Sequence, residues 1–175
     1  MRWSTFSEQQ PKLAQRASDL VVSPGVTLIG TIRRDGAPRI SPIEPFLMDG
    51  DLWLSMLHGS TKAKDLLRDP RILVHNIVTN RDGAEGEVKI RGRALEEHDA
   101  ELHTRYADQV TSELGWTPVL SHFHLFRVEI DSITYIWYLD GDQFLTTWPP
   151  GNEQVRRKLT PTSLHPPEPT RQLLE

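Results

Sequence analysis

Two short stretches hold most of the chemistry that this sequence could perform. Gly59-Ser60-Thr61-Lys62-Ala63-Lys64 sets two hydroxyls and two ammonium groups at what the spacing predicts to be the start of a helix. The first backbone N–H groups of a helix have no intrahelical partner and lie at the positive end of its dipole, so this cluster suits an anion, most simply a phosphate. Its order is not that of the G-x-x-x-x-G-K-[ST] loop, and triphosphate hydrolysis gains no support. An ordinary cap at Ser60 with solvated lysines explains the same residues. The second stretch carries Pro38, Pro42 and Pro45, with Arg39 and Ser41 on one face between them. Proline supplies no ladder donor, so a sheet should open there, leaving backbone groups near Pro42 and Ile43 for a flat ligand with polar edges. The alternative is an edge strand protected against aggregation, with a solvated Arg39.

Other candidates carry less. His122-Phe123-His124 places two imidazoles on one face of a strand, and with His58 or His75 they could ligate a metal or haem. Partly buried, hydrogen-bonding histidines are the commoner arrangement, and no metal ligand is assigned. His98 and His103 are expected in solvent, and Trp53 and Trp116 in a core or interface. Lys89, Arg91 and Arg93 alternate along a strand without interleaved aromatic residues, which fits a solvated face or the lining of an anionic ligand rather than a nucleic-acid surface.

Composition narrows the classes. The 175 residues suit one domain with a real core. Lys and Arg number 20 against 24 Asp and Glu, a net charge of −4, which argues against a surface dedicated to nucleic acid or anionic membrane. With no cysteine, a disulfide framework, a thiolate nucleophile and a cysteine-based metal site are all excluded. No window has the apolar length of a signal peptide or membrane span, so a cytoplasmic location is expected.

The elements that must position the two stretches can be read from periodicity. A helix is predicted over residues 7–19, opened by a capping box at Thr5 and Glu8 and tolerating Pro11 in its first turn. The strands that follow, 26–33 and 37–47, are joined at Arg34-Asp35-Gly36, and a third over 52–57 completes a meander. A short helix over 59–69 leads to strands at 71–78 and 87–95; the latter turns Val88, Ile90 and Ala94 to one face. A helix over 99–114, stopped by Gly115, precedes a long strand over 123–139 with a break near Asp131 and a last strand over 143–148. Six of the thirteen prolines fall after residue 148, so the tail is expected to be irregular, with at most a helical turn over 153–158. Strands with helices inserted irregularly favour an antiparallel barrel with peripheral helices.

The opened strand and the helix start, one strand apart, can converge on a ligand with an anionic tail and a flat polar ring. Over these residues the sequence resembles the flavin-binding split barrels related to pyridoxamine 5′-phosphate oxidase. The segment Ile32-Arg33-Arg34-Asp35-Gly36-Ala37-Pro38-Arg39-Ile40-Ser41-Pro42-Ile43 resembles that family's first hairpin. Ser60-Thr61-Lys62-Ala63-Lys64-Asp65-Leu66-Leu67-Arg68-Asp69-Pro70 resembles its phosphate segment, and Val88-Lys89-Ile90-Arg91-Gly92-Arg93-Ala94 the strand that follows.

The resemblance implies a mainly β, antiparallel split barrel with peripheral helices over residues 1–148 and a proline-rich tail over 149–175. It implies a flavin-dependent oxidoreductase passing a hydride between FMN, or the deazaflavin coenzyme F-420, and a small organic substrate. Arg39, Thr61 and Lys62 would hold the phosphate, with Ser60 and Lys64 in the same cluster, while Ser41, Pro42, Ile43, Ser55 and Met56 would border the ring. No catalytic acid or base is assigned, because hydride chemistry belongs to the cofactor. Relatives are homodimers with the cofactor between subunits, which would bring Trp137 or Trp148 to the partner's flavin. The alternative is the same barrel holding flavin or haem without turnover. Asp65 and Glu44 stand where the family carries neutral and basic residues, so a relative of the vitamin B6 enzyme is expected rather than that enzyme.

Overall fold

The computed structural model describes residues 1–170. From Thr27 the pattern of buried residues has a period of two. β1 (Thr27–Ile32) buries Thr27, Ile29 and Thr31 on one face, and β2 (Pro38–Ile43) returns antiparallel in the register Thr27↔Ile43 to Ile32↔Pro38. The turn between them needs a left-handed residue, supplied by Gly36 at φ +84°, and Asp35 Oδ1 accepts from the Ala37 N–H at 3.0 Å.

The predicted strand over 37–47 divides at Glu44 instead of running through. β2 pairs only with β1, whereas β3 (Pro45–Met48) pairs with β4 (Asp51–Leu57). Pro42 and Pro45 bracket the change, and neither can donate to a ladder. The expected meander is therefore two hairpins, and no ladder joins β2 to β4 among the described residues.

The remaining strands wrap around this gap. β5 (Arg71–His75) follows β1, then β6 (Glu87–Glu97) and β7 (Phe123–Leu139). β7 keeps β6 along one edge while its other edge passes from β4, opposite Phe123–Arg127, to β8 (Asp142–Trp148), opposite Ile133–Leu139. The break expected near Asp131 is a bulge: Arg91 faces Ser132 and Gly92 faces Ile130, leaving Asp131 unpaired.

The tail is regular where irregularity was expected. β9 (Asn152–Arg156) pairs with β8 and β12 (Glu168–Pro169) with β9, while β10 (Lys158–Thr160) and β11 (Ser163–Leu164) form a separate hairpin. Residues 153–158 form no helical turn, because Val155 buries against Phe144 by adding a strand to the open edge of β8. The tail's last five residues, 171–175, lie outside the described residues.

Four α-helices sit around the sheet among the described residues. The predicted helix over 7–19 is two, α1 (Trp3–Gln9) and α2 (Pro11–Ala17), the second passing into a wider turn at Ser18–Val22. Pro11 cannot donate backwards and takes the first position of α2, so Gln10 leaves helical geometry. The capping box at Thr5 does not form; the cap position falls three residues earlier, at Arg2. α3 (Thr61–Arg68) follows Ser60, whose Oγ accepts from the Ala63 N–H at 3.3 Å. In α4 (Ala100–Leu114), Asp99 caps the amides of Glu101 and Leu102, and Gly115 ends the helix at φ +74°.

One core fills the barrel and the underside of α1 to α3, from Phe6 and Leu13 through Ile29, Leu54 and Leu66 to Ile90, Phe126 and Ile133. A smaller one, built on Phe46, Trp53, Tyr106, Phe123 and Leu125, seats α4 on the opposite face of β3, β4 and β7. Trp53 is thus a core residue, while Trp116 remains 45% exposed.

Close approach of two backbones marks the bulge as the tightest point. A Cβ on Gly92 would lie 2.0 Å from the Glu129 carbonyl oxygen. Gly92→Ala is expected to lower stability by about 3 kcal/mol or more, since overpacking against backbone cannot be relieved by a rotamer change. The reading is a lower urea midpoint at constant m-value; a wild-type midpoint would mean that β6 and β7 can part there.

Candidate functional site

Two adjoining clefts open where β2 fails to meet β4. The first, about 970 Å³, lies between the β1–β2 turn and α3, and takes Arg33, Arg34 and Asp35 from the turn, Arg39 from β2, and Thr61, Lys64, Asp65 and Arg68 from the helix. The second, about 470 Å³, lies in the gap itself; Pro42, Ile43 and Glu44 line one side, Ser55, Met56 and Leu57 the other, with Ser60, Lys62 and Val26 at the rim. Ser60, Thr61 and Lys62 are consecutive, and alternate between the two clefts, so the start of α3 is the wall they share.

The local fold explains these placements. Arg39, Ser41 and Ile43 share a face of β2, opposite Thr31, Ile29 and Thr27. The amphipathic α3 buries Ala63, Asp65 and Leu66, which leaves Thr61, Lys64 and Arg68 on the exposed side. The Lys64 N–H donates to the Ser60 carbonyl at 3.0 Å and Ala63 N–H goes to the Ser60 hydroxyl, so the amides of Thr61 and Lys62 remain for a ligand.

Asp65 organises the first cleft. Its side chain is 5% exposed, and Oδ2 accepts from Arg39 Nε at 2.7 Å and from the Thr31 hydroxyl at 3.0 Å, while Oδ1 faces Arg68 Nη2 at 3.4 Å. Arg68 also donates to the Ile32 carbonyl. Burial alone would push the Asp65 carboxyl up; donation from Arg39, Thr31 and Arg68 holds it below its ordinary value.

The predicted residues are therefore brought together, in two groups. Arg39, Thr61 and Lys64 line the first cleft; Pro42, Ile43, Ser55, Met56, Ser60 and Lys62 line the second. Ser41 sits between them on β2, half-buried. Lys62, expected on the phosphate, turns instead to the Pro42 carbonyl, 2.5 Å from Nζ. Burial lowers the Lys62 pKa, with nearby Glu44 opposing the shift. Sequence reasoning missed Arg33, Arg34 and Arg68 as members of the cationic cleft. The helical spacing of Arg68 from Lys64 was the available signal.

The histidines divide. His124 Nδ1 lies 2.5 Å from Glu96 Oε1, its ring 4.3 Å from that of His58, and His98 Nε2 lies 3.4 Å from the other Glu96 oxygen. His75 lies on β5 beside Glu87, and His122 is exposed in the turn before β7. No group of three or more His, Asp or Glu side chains that could hold a metal ion occurs among the described residues. His103, expected in solvent, is half-buried and stacks on Phe123 at 5.2 Å. Trp137 stacks on Tyr135 and Phe144, and Trp148 packs on Phe6, all within one chain.

An antiparallel barrel left open between two strands, with a helix start at the opening, is a split barrel. The sequence family of pyridoxamine 5′-phosphate oxidase matches residues 13–137, and the chain belongs to that family. A comparison with curated proteins gives no match. Among solved structures the chain is similar to a haem-binding protein from Mycobacterium smegmatis, with TM-score 0.58 and 20% identity over 78% of this chain, and it spans 56% of that protein's length. It is also similar to general stress protein 26 from Bacillus anthracis, with TM-score 0.53 and 20% identity over 69% of this chain and 91% of that one. A protein related to general stress protein 26, of the pyridoxinephosphate oxidase family, from Clostridium acetobutylicum gives TM-score 0.57 and 15% identity over 84% and 97% of the two chains. At these identities the likeness is one of fold.

The Asp65 network predicts a pH dependence of stability. A carboxyl held below its ordinary value stabilises the fold at every pH above its unfolded pKa, about 4, and the contribution disappears as pH falls through the lower folded value. Asp65→Asn is expected to cost about 2 kcal/mol at neutral pH, because two guanidinium groups lose their partner. Urea midpoints of the wild type should fall toward those of the variant as pH drops below about 4; curves that stay parallel would show that Asp65 is not held ionised.

Proposed function

We propose that the chain is a flavin-dependent oxidoreductase of its family, with FMN as the leading cofactor. The observation that carries this reading is the continuity of a cationic cleft with an apolar-walled gap across one helix start. A phosphate monoester in the first cleft would meet Arg39, Lys64, the Thr61 hydroxyl and the leading amides of α3, a donor set suited to it. The second cleft has the size and character of a ring site: Ile43 and Met56 are buried apolar surfaces, and Pro42, lacking an N–H, keeps the edge of β2 open.

A bound flavin would supply the hydride chemistry. The chain binds, orients and excludes water, and the assignment of no catalytic acid or base to it is part of the reading. Binding energy collected at the phosphate end holds the ring in place without contact at the reacting centre. Lys62 and Glu44 are the charged groups beside the gap, suited to orienting a small polar substrate.

The deazaflavin coenzyme is a second reading, favoured by the extent of the cationic lining. One phosphate does not engage Arg33, Arg34, Arg39, Lys64 and Arg68 together, and a longer acidic tail can. A flavin- or haem-binding barrel without turnover is the alternative from another class, and the haem-binding similarity bears on it.

A homodimer belongs to the proposal. Ile40 is 73% exposed and Leu73 39%, and they flank Gly30 on the same rung, one on each neighbouring strand, giving an apolar patch on the outside of β1, β2 and β5. A soluble cytoplasmic protein is the matching location.

Titration of the purified protein with FMN, riboflavin and the deazaflavin coenzyme tests the reading by fluorescence. FMN is expected to bind more tightly than riboflavin. The Arg39→Ala, Lys64→Ala double variant should weaken FMN on the order of a hundredfold through loss of two charge-assisted contacts. Binding of the deazaflavin alone moves the assignment to the second reading, and binding of neither rejects both.

A further inference from the structure

We propose that Asp65 is a positioning residue which fixes Arg39, together with Arg68, as the phosphate-reading fork of the first cleft. The proposal rests on the phosphate reading above and adds to it a residue that by charge alone should oppose it. A carboxylate lining an anion cleft repels the ligand on Coulomb's law. The geometry of Asp65 offsets that repulsion.

Its buried Oδ2 accepts from Arg39 through Nε, the inner donor of the guanidinium, at 2.7 Å. Taking Nε leaves the outer Nη1 and Nη2 for the cleft that Arg39 lines. Thr31, directly across the β1–β2 ladder from Arg39, gives the same carboxylate oxygen a hydroxyl proton at 3.0 Å, so the acceptor is held on the rung that carries the arginine. The other oxygen faces Arg68 one helical turn on, and Arg68 is anchored again on the Ile32 carbonyl at the end of β1. One carboxylate thus joins β1, β2 and α3 at the point where their three cationic or hydroxyl side chains meet. A rigid, planar pair of donors suits a phosphate better than two free side chains that must be ordered on binding.

Charge and position predict opposite signs. If Asp65 acts only through its charge, Asp65→Asn strengthens binding of an anion; if it positions Arg39, the same change weakens it. The experiment measures dissociation constants of wild type, Asp65→Asn and Arg39→Lys for FMN, riboflavin and inorganic phosphate, by fluorescence quenching and calorimetry. Arg39→Lys retains the charge on a side chain that reaches the cleft surface, 22% exposed, so it tests the fork even if the Asp65 variant folds poorly. The donors of an ammonium share one nitrogen, so a lysine held at the buried carboxylate does not present the planar fork to the ligand.

Each variant is expected to lower the preference for FMN over riboflavin on the order of tenfold or more, with riboflavin affinity unchanged and inorganic phosphate weakened. An unchanged or larger preference in either variant overturns the proposal. Equal losses for FMN and riboflavin also overturn it, because they report a general loss of structure. If the wild type binds neither flavin, the flavin reading fails while the phosphate arm still decides Asp65: weaker phosphate in Asp65→Asn supports the role, and equal or tighter phosphate rejects it. A wild type that binds none of the three rejects both.

Discussion

The structure depends on a hydrogen-bond ladder that is not made. β2 and β4 stand on either side of Glu44 and β3, and in a closed barrel they would pair. Pro42 and Pro45 remove donors on both sides of Glu44, so the chain exchanges β1 for β4 as its partner at that point. The cost of leaving strand edges unpaired is contained because Ile43 and Met56 still bury their side chains against the common core. α3 then closes the barrel from the side, and its amino terminus has to lie at the opening, because Ser60 follows β4 by only a short turn. The gap and the anion-seeking end of a helix are therefore consequences of the same change of partner.

Charge is concentrated at this place against the balance of the chain. The protein carries a net −4, yet five cations and only two carboxylates line the first cleft. Asp35 is engaged by the Ala37 amide and Asp65 by three donors, so neither is available to neutralise a ligand's counterpart. A cationic cleft set in an anionic surface concentrates an anionic ligand there and turns other anions away from the rest of the molecule. In the proposed phosphate site, an aspartate is accommodated in the same terms, since a buried acceptor would aim the guanidinium groups that a free acceptor would only neutralise.

Much of this was legible in the sequence, and the losses have physical causes. Period-two burial in β1, β6 and β7, the Ser60 cap, and Gly115 as a stop were all readable because local propensity and tertiary packing agree there. The opened strand at Pro38, Pro42 and Pro45 was readable because proline's missing N–H is a property of the residue alone. The exchange of partners at Glu44 was not, since which strand meets β3 is a long-range fact. The tail misled for a related reason: its prolines predict irregularity, but Val155 gains a buried site only because the edge of β8 is open next to it. Lys62 and Lys64 look equivalent in sequence, and the helix separates them by direction, one toward the Pro42 carbonyl and one toward the cationic cleft. Asp65 read as a misplaced charge because its three partners come from β1, β2 and the next turn of α3, none adjacent in sequence.

The two clefts differ in what they can contribute to a reaction, and the difference follows from burial. The first is open, rich in guanidinium groups, and separated from the gap by the start of α3; it is built for affinity. The second is walled by Ile43, Met56 and Pro42, and its one cation, Lys62, is already partly desolvated, which is why its pKa falls. Glu44 opposes that shift, and the Pro42 carbonyl accepts from the ammonium. In a flavin-binding reading this separates holding at one end of the cofactor from a gap with partly apolar walls at the other, where hydride transfer would take place. The start of α3 sets that separation, because successive residues of a single turn face one cleft and then the next.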